Sequence, residues 1–280
     1  AIVEQVRDET ATLTTWIERT QREIDLIREY RMRLIADVVT GELDVRHLAL
    51  PPSDEQIEPE DLIEDIEGYG SQAMFFNVNA ADETKRGRVL DKVQETLAAA
   101  GAESTVHVMM HSLAFGTLLP FVHEDPAQRI SKAQMDMTLD VMAHSLVYWT
   151  QDLMDRHLLG RGSRIFAMTS EGSHRVVTNY GAVSAAKAAL ESHTRVLAQE
   201  LGKQGILVNC IQAGVTDTPA LRKIPGNEKI VEGALRRNPV GRLTTTQDVA
   251  ITIRQLSHPD IRWVSGSIIF VDGGEDACAG

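Results

Sequence analysis

The chain has 280 residues, of which 43% are hydrophobic and 24% are charged, so it can bury a large core and is not intrinsically disordered. Its formal net charge is -12, and the stretch from His47 to Thr84 has ten acidic residues and no Lys or Arg, which argues against broad binding of a phosphate backbone. No apolar run approaches the roughly 18 residues of a membrane helix, and the first residues have no signal-peptide core.

The two cysteines, Cys210 and Cys278, lie far apart in the sequence and have no His or Cys neighbours at the spacing of metal ligands. Neither a disulfide framework nor a zinc site is therefore expected, and a reducing cytoplasm is the favoured compartment.

The first 41 residues are predicted to form one long coiled-coil helix that ends at Thr40-Gly41. Residues 3 to 40 contain no Gly or Pro, and eight of the eleven positions in an alternating three-and-four repeat are aliphatic: Val3, Val6, Leu13, Ile17, Ile24, Ile27, Leu34 and Val38. Such a helix is roughly 55 Å long and needs a partner helix. Residues 42 to 72 are predicted to be a solvated acidic linker with one turn of helix.

From residue 73 onward, apolar strands alternate with amphipathic helical stretches. The predicted strands are Met74 to Asn79, Val106 to His111, Ser163 to Thr169, Ile206 to Gln212 and Ser267 to Val271, and the predicted helices are Glu83 to Ala100, Lys132 to Arg156, Ala182 to Gly202 and Asp248 to Leu256. This order predicts an α/β domain, with a parallel sheet, right-handed crossovers and helices on both faces. Ligands are expected at the carboxyl ends of the strands.

Tyr180 and Lys187 are seven residues apart on a predicted helix, which places them on one face with an offset of about 20°. An ammonium group near a phenol favours the phenolate, so we expect Lys187 to lower the pKa of Tyr180. On their own, such pairs are usually surface residues.

Several other residues have simpler interpretations. His111, His144 and His174 are expected to be packed or hydrogen-bonded rather than ligands, and Cys210 is expected to be inert in a buried strand. Met142 and Trp149 belong to an apolar helical face.

The run SEGSHRVVTNYGAVSAAKAAL, followed by VNCIQAGVTDT and GSIIFVDGG, resembles the short-chain dehydrogenase/reductase family. The Tyr-x6-Lys spacing and HSLAFG resemble its enoyl-acyl-carrier-protein reductase branch, and Ser170, the Asn-Tyr pair and DTPALRKIPGNE resemble the third bacterial type. The resemblance covers residues 73 to 280 and implies a partial Rossmann-like domain that reduces a trans-2-enoyl thioester in fatty-acid synthesis. The family's catalytic Asn maps to Met142, a departure that enoyl reductases often show.

The resemblance also implies roles for individual residues. Tyr180 hydrogen-bonds the thioester carbonyl, Lys187 holds the nicotinamide ribose and Ser170 is a second donor. Seven further positions contact NADH or NADPH: Asn77 and Val78 near the adenine, Ser112 and Ala114 along the cofactor, and Val215, Thr216 and Thr218 at the nicotinamide carboxamide and phosphates. Assembly as a homo-oligomer, through the reductase helices or the coiled coil, is expected.

The glycine-rich turn that holds the pyrophosphate in this family has no counterpart before Gly68, where Gly41 is the one glycine. Cofactor binding that is weak or absent is one expectation from this difference, and the choice between NADH and NADPH is not encoded in the residues present. The family's first strand would lie beside the strand at Val106, so we hypothesise that the Met74 strand takes its place.

Residues 1 to 57 resemble a different family. The stretch LIREYRMRLIADVVTGELDVR is similar to the C-terminal conserved helix of type I restriction-modification specificity subunits, which docks on methylation subunits. This resemblance implies a second function, an assembly module that binds a methylation subunit, without direct nucleic-acid binding because no target-recognition domain is present. A third alternative is an inactive fusion fragment of both.

Overall fold

The computed structural model describes residues 59–99, 105–222, 224 and 226–278. The predicted coiled-coil helix and most of the acidic linker lie outside these residues. The methylation-subunit partner inferred from that region therefore stays a prediction.

Four parallel strands form the sheet, in the spatial order β1-β2-β3-β4. They are β1 (Val108–His111), β2 (Arg164–Thr169), β3 (Leu207–Ala213) and β4 (Ile268–Val271). All four coincide with predicted strands, which confirms the α/β parallel-sheet class.

Eight α-helices accompany the strands in the described part of the chain. Their bounds are α1 (Pro59–Gly68), α2 (Glu83–Ala99), α3 (Lys132–Leu139), α4 (Ser145–Asp155), α5 (Gly181–Leu201), α6 (Pro219–Arg222), α7 (Asn227–Arg237) and α8 (Thr246–Leu256). None of the described helices combines the length and the apolar character needed to cross a membrane.

Local sequence explains several of these bounds. Ser131 and Gln134 form a reciprocal capping box at the start of α3, and Thr245 and Asp248 do the same for α8. The predicted single helix from Lys132 to Arg156 is interrupted by a π-helical turn at Asp140–His144. The acidic segment before residue 72 has a ten-residue helix, α1, with no buried side chain.

Helix α5 packs against β2 and β3 and supplies the centre of the core. Ala186 and Leu190 on this helix are fully buried, as are Ile165 on β2 and Val208 on β3. At the opposite end of the sheet from the candidate site, the buried Arg164 guanidinium donates hydrogen bonds to the carbonyl oxygens of Leu256, His258 and Ile261. These bonds tie the segment after α8 to the first residue of β2.

The predicted strand from Met74 to Asn79 is wrong, because this segment has no regular secondary structure. The segment and the residue after it contact helices instead. The Thr96 hydroxyl on α2 lies 3.6 Å from Met74 Sδ, and the Trp149 Nε1–H on α4 donates to the Ala80 carbonyl oxygen at 3.0 Å. Among the described strands β1 pairs with β2 alone, so the hypothesis that the Met74 strand replaces the family's first strand is also wrong.

Replacing Leu190 by Ala should lower the free energy of unfolding by about 2–5 kcal/mol, because the change leaves a cavity where α5 meets the sheet. Val196, on the same helix, is 49% exposed, so Val196→Ala serves as the control and should change stability by less than about 1 kcal/mol. Urea unfolding measures both. Equal losses in the two variants would contradict this assignment of the core face.

Candidate active site

Tyr180 precedes the first residue of α5 and packs against the short turn that follows β2. A Cβ atom added to Gly172 in that turn would lie 2.7 Å from Tyr180 Cε1, closer than side chains approach one another. Only glycine therefore allows the tyrosine ring to lie in this position. Ser170, at the start of the same turn, accepts a hydrogen bond from the Gly172 N–H at 3.1 Å.

A cavity of about 260 Å³ opens beside the Tyr180 ring at the carboxyl ends of β2 and β3. Its polar lining includes Thr169, Ser170, Glu171, Gln212, Thr216, Asp272, Glu275 and Asp276, and its apolar lining includes Val177, Val215, Leu221, Ile224 and Ile230. This place matches the expectation that ligands gather at the carboxyl ends of parallel strands.

Lys187 lies about two helical turns after Tyr180 on α5, and its side chain is buried. Nζ donates to the Met168 carbonyl oxygen at 2.7 Å and to the Leu113 carbonyl oxygen at 3.3 Å. Burial lowers the pKa of Lys187 to about 8, while the charges of Cys210 and Glu191 act in the opposite direction.

The expectation that Lys187 lowers the pKa of Tyr180 is wrong. Burial raises the pKa of Tyr180 above its ordinary value; the Ser170 hydroxyl lowers it, and the Glu171 carboxylate raises it further. Desolvation is the largest of these effects, and the Lys187 ammonium group directs its protons to the carbonyl oxygens of Leu113 and Met168. The phenol is consequently protonated at neutral pH and is available as a hydrogen-bond donor.

The surroundings of Lys187 fit the ribose end of a nicotinamide cofactor. An ammonium group has three donors, and the carbonyls of Leu113 and Met168 occupy two of them, which leaves one for a ribose hydroxyl. Ser112 and Ala114, on either side of Leu113, are small and exposed, so a sugar or flat ring can approach the backbone there.

The remaining predicted contacts lie in three places. Val215 and Thr216 line the cavity with Tyr180, whereas the Thr218 hydroxyl accepts the Leu221 N–H and caps α6. Asn77 and Val78 lie in the irregular segment before α2, away from the cavity that Tyr180 lines.

Sequence patterns missed a group of charged residues at the cavity wall. Arg237 Nη2 donates to both carboxylate oxygens of Glu171, at 3.3 and 3.1 Å, and to Glu275 Oε1 at 3.0 Å. Glu275 Oε2 accepts the Val215 N–H at 3.2 Å. The adjacency of Glu171 to Ser170 was the one available signal for this group.

The three histidines near the site are hydrogen-bonded, as expected. Imidazole nitrogens of His111, His144 and His174 lie 2.8 to 3.0 Å from Ser145, His193 and Asp276, respectively. Cys210 is buried, and burial raises the pKa of its thiol to about 11, which fits an inert core position. Within the described residues no group of three or more His, Cys, Asp or Glu side chains is arranged to hold a metal ion.

The lowered pKa of Lys187 predicts a specific pH dependence of stability. Between about pH 8 and the ordinary lysine pKa near 10.4, the unfolded chain binds this proton and the folded chain does not, so Lys187 makes the free energy of unfolding rise with pH, by up to about 3 kcal/mol. Lys187→Met should remove that rise. Denaturant unfolding at pH 7.5 and pH 10 measures it, with Lys203→Met on the exposed surface as the control; an unchanged slope in Lys187→Met would contradict the assignment.

Comparison with known proteins identifies the family of the chain. Residues 52–275 match the enoyl-(acyl carrier protein) reductase family. The NADH-dependent enoyl-[acyl-carrier-protein] reductase FabI of Aquifex aeolicus is 30% identical over 170 residues, which is 61% of this chain and 62% of that protein, so the match spans less than two thirds of the relative. A chloroplastic NADPH-dependent aldehyde reductase-like protein of Arabidopsis thaliana is 26% identical over 250 residues, 89% of this chain and 86% of that protein.

A solved structure shows the same likeness. The enoyl-acyl carrier protein reductase of Bacillus cereus, determined with NADP+ and indole naphthyridinone, has a TM-score of 0.68 and 25% identity, covering 79% of this chain and 82% of the solved chain. The sheet, the Tyr180–Lys187 pair and the family match lead to one conclusion: this chain belongs to the enoyl-(acyl carrier protein) reductase family.

Proposed function

We propose that this chain reduces the C2–C3 double bond of a trans-2-enoyl thioester, with NADH or NADPH as the hydride donor. The observation that carries this proposal is the half-buried, protonated Tyr180 phenol, which lines one cavity with Ser170 while Lys187 lies behind it at the strand ends. A phenol in this state donates a hydrogen bond and keeps its proton at neutral pH.

Each residue has a distinct part in the proposed reaction. Tyr180 donates its hydrogen bond to the thioester carbonyl oxygen, where negative charge develops as C3 is reduced. Ser170 is the second polar group at that oxygen, and Lys187 orients the ribose with its uncommitted proton. When bound, the cofactor would supply the hydride to C3, and C2 of the resulting enolate would take a proton from water. The apolar wall of Val177, Leu221, Ile224 and Ile230 accommodates the acyl chain.

Assembly as a homo-oligomer is part of the proposal. Helices α3 to α5 present partly exposed apolar side chains such as Val196, which could pack against a second copy. The substrate class is supported separately, because relatives of this chain are named enoyl reductases. A cytoplasmic location stays a prediction from the cysteine content.

Tyr180→Phe should lower kcat for crotonyl-coenzyme A by about 10²–10⁴-fold, because it removes the donor at the developing oxyanion and leaves the ring in place. NADPH and NADH affinity should stay within about twofold of the unaltered chain, since Lys187 is untouched. Cofactor oxidation at 340 nm and calorimetric titration measure the two quantities.

Tyr148→Phe is the matched control, because the Tyr148 hydroxyl donates to Asp140 at 2.9 Å and lies outside the cavity. No binding of either cofactor would remove the enzymatic proposal for this chain. Turnover of an aldehyde or ketone without turnover of the enoyl thioester would instead assign carbonyl reduction, the activity named for the Arabidopsis relative.

A further inference from the structure

One guanidinium group connects three segments of the cavity wall. Arg237, the last residue of α7, donates from Nη2 to Glu171 in the turn after β2 and to Glu275 in the turn after β4. Glu275 in turn accepts the N–H of Val215, the second residue after β3. These three segments therefore meet at one guanidinium group, beside the pairs that Asp276 forms with His174 and Arg175.

This cluster is shielded from water. The side chains of Arg237, Glu171 and Glu275 are 19%, 23% and 3% exposed, respectively. Burial and the neighbouring Glu171 charge raise the pKa of Glu275, and Arg237 opposes that rise. Two carboxylates on one guanidinium group repel each other in a poorly solvated place, and the positive charge of the arginine offsets that repulsion.

The geometry of the arginine differs from that of a pair built for stability alone. A stabilising arginine commonly forms a two-nitrogen fork with one carboxylate, whereas here Nη2 serves both carboxylates and the buried Nε has no hydrogen-bond partner among the described residues. Leaving a buried donor unpaired is unfavourable. The arrangement instead spans the distance between two walls of the cavity.

The catalytic tyrosine is coupled to this cluster through the turn after β2. Glu171 lies between Ser170, a proposed donor, and Gly172, against which the Tyr180 ring packs. A shift of Glu171 would thus move both neighbours. The Glu171 carboxylate also raises the pKa of Tyr180, and Arg237 Nη2 lies 3.1 Å from that carboxylate.

We propose that Arg237 is a positioning residue that holds Ser170, Tyr180 and the Val215 peptide in register by binding Glu171 and Glu275 together, without touching the substrate. This inference rests on the enoyl reduction proposed above. Other charged groups around the two glutamates have partners of their own: Asp276 pairs with His174 and Arg175, and Asp272 accepts the Gly274 and Asp276 N–H groups.

The test compares Arg237→Met, Arg237→Lys and Arg236→Met in the full chain. Arg236 is the exposed neighbour on α7 and is the matched control. Arg237→Met should lower kcat for crotonyl-coenzyme A by roughly ten- to a hundredfold through misplacement of the reacting groups. Arg237→Lys should restore part of it, and Arg236→Met should match the unaltered chain. Loss that only follows the unfolded fraction, or equal loss in Arg236→Met, overturns the proposal.

A second readout does not require turnover. The chain has four tyrosines, so ¹³Cζ-tyrosine labelling with Tyr180→Phe as reference identifies the Tyr180 signal. Arg237→Met leaves the Glu171 charge uncompensated and should move the Tyr180 titration upward, whereas Glu171→Gln should move it downward. Unchanged titrations in both variants overturn the coupling. Absence of enoyl thioester turnover in the unaltered chain contradicts the proposed function alone, and the titrations still decide the positioning role.

Discussion

The buried ammonium group of Lys187 is the interaction on which the arrangement of the site depends. It joins the Leu113 carbonyl, after β1, to the Met168 carbonyl near the end of β2. A buried charge is unfavourable unless its hydrogen bonds are made, and here burial outweighs the opposing effects of Cys210 and Glu191 and lowers the pKa of Lys187 to about 8. Helix α5 is thereby held against two strand ends at one point. Tyr180 lies immediately before this helix, where its ring packs against Gly172.

The sequence predicted most of the core and one half of the site, for physical reasons. Each of the four strands, and each helix between them, has apolar residues at the spacing of its own secondary structure, so its type can be recognised from its own residues. The segment from Met74 to Asn79 is as apolar as the strands, yet it forms none, because a strand needs a neighbour whose backbone groups it can bond, and residue pattern does not encode that neighbour. The spacing of Tyr180 and Lys187 gave a shared helix face but not the burial that decides their pKa values.

The Arg237 cluster shows the other limit of sequence reasoning. Its members are separated by 66 and 38 residues along the chain, and charged residues at such positions usually face solvent. Only the tertiary structure reveals that the end of α7 meets the turns after β2 and β4. A charged residue that positions a catalytic residue belongs to no sequence motif. Its effect depends on its distance from that residue and on its burial, and not on its spacing along the sequence.

The two ends of a nicotinamide cofactor would contact parts of this fold that differ in how firmly the rest of the structure packs around them. In the proposed site, the ribose and nicotinamide end would lie at Lys187, Ser170 and Tyr180, which are held by β2, β3 and α5 in the core. The remaining length would extend toward β1, which pairs on one side only among the described strands and leaves Met110 44% exposed. Binding energy and chemical positioning would therefore come from separate regions. Changes near β1 should act on cofactor affinity, and changes around α5 on the chemical step, because an interaction alters kcat only when it strengthens in the transition state.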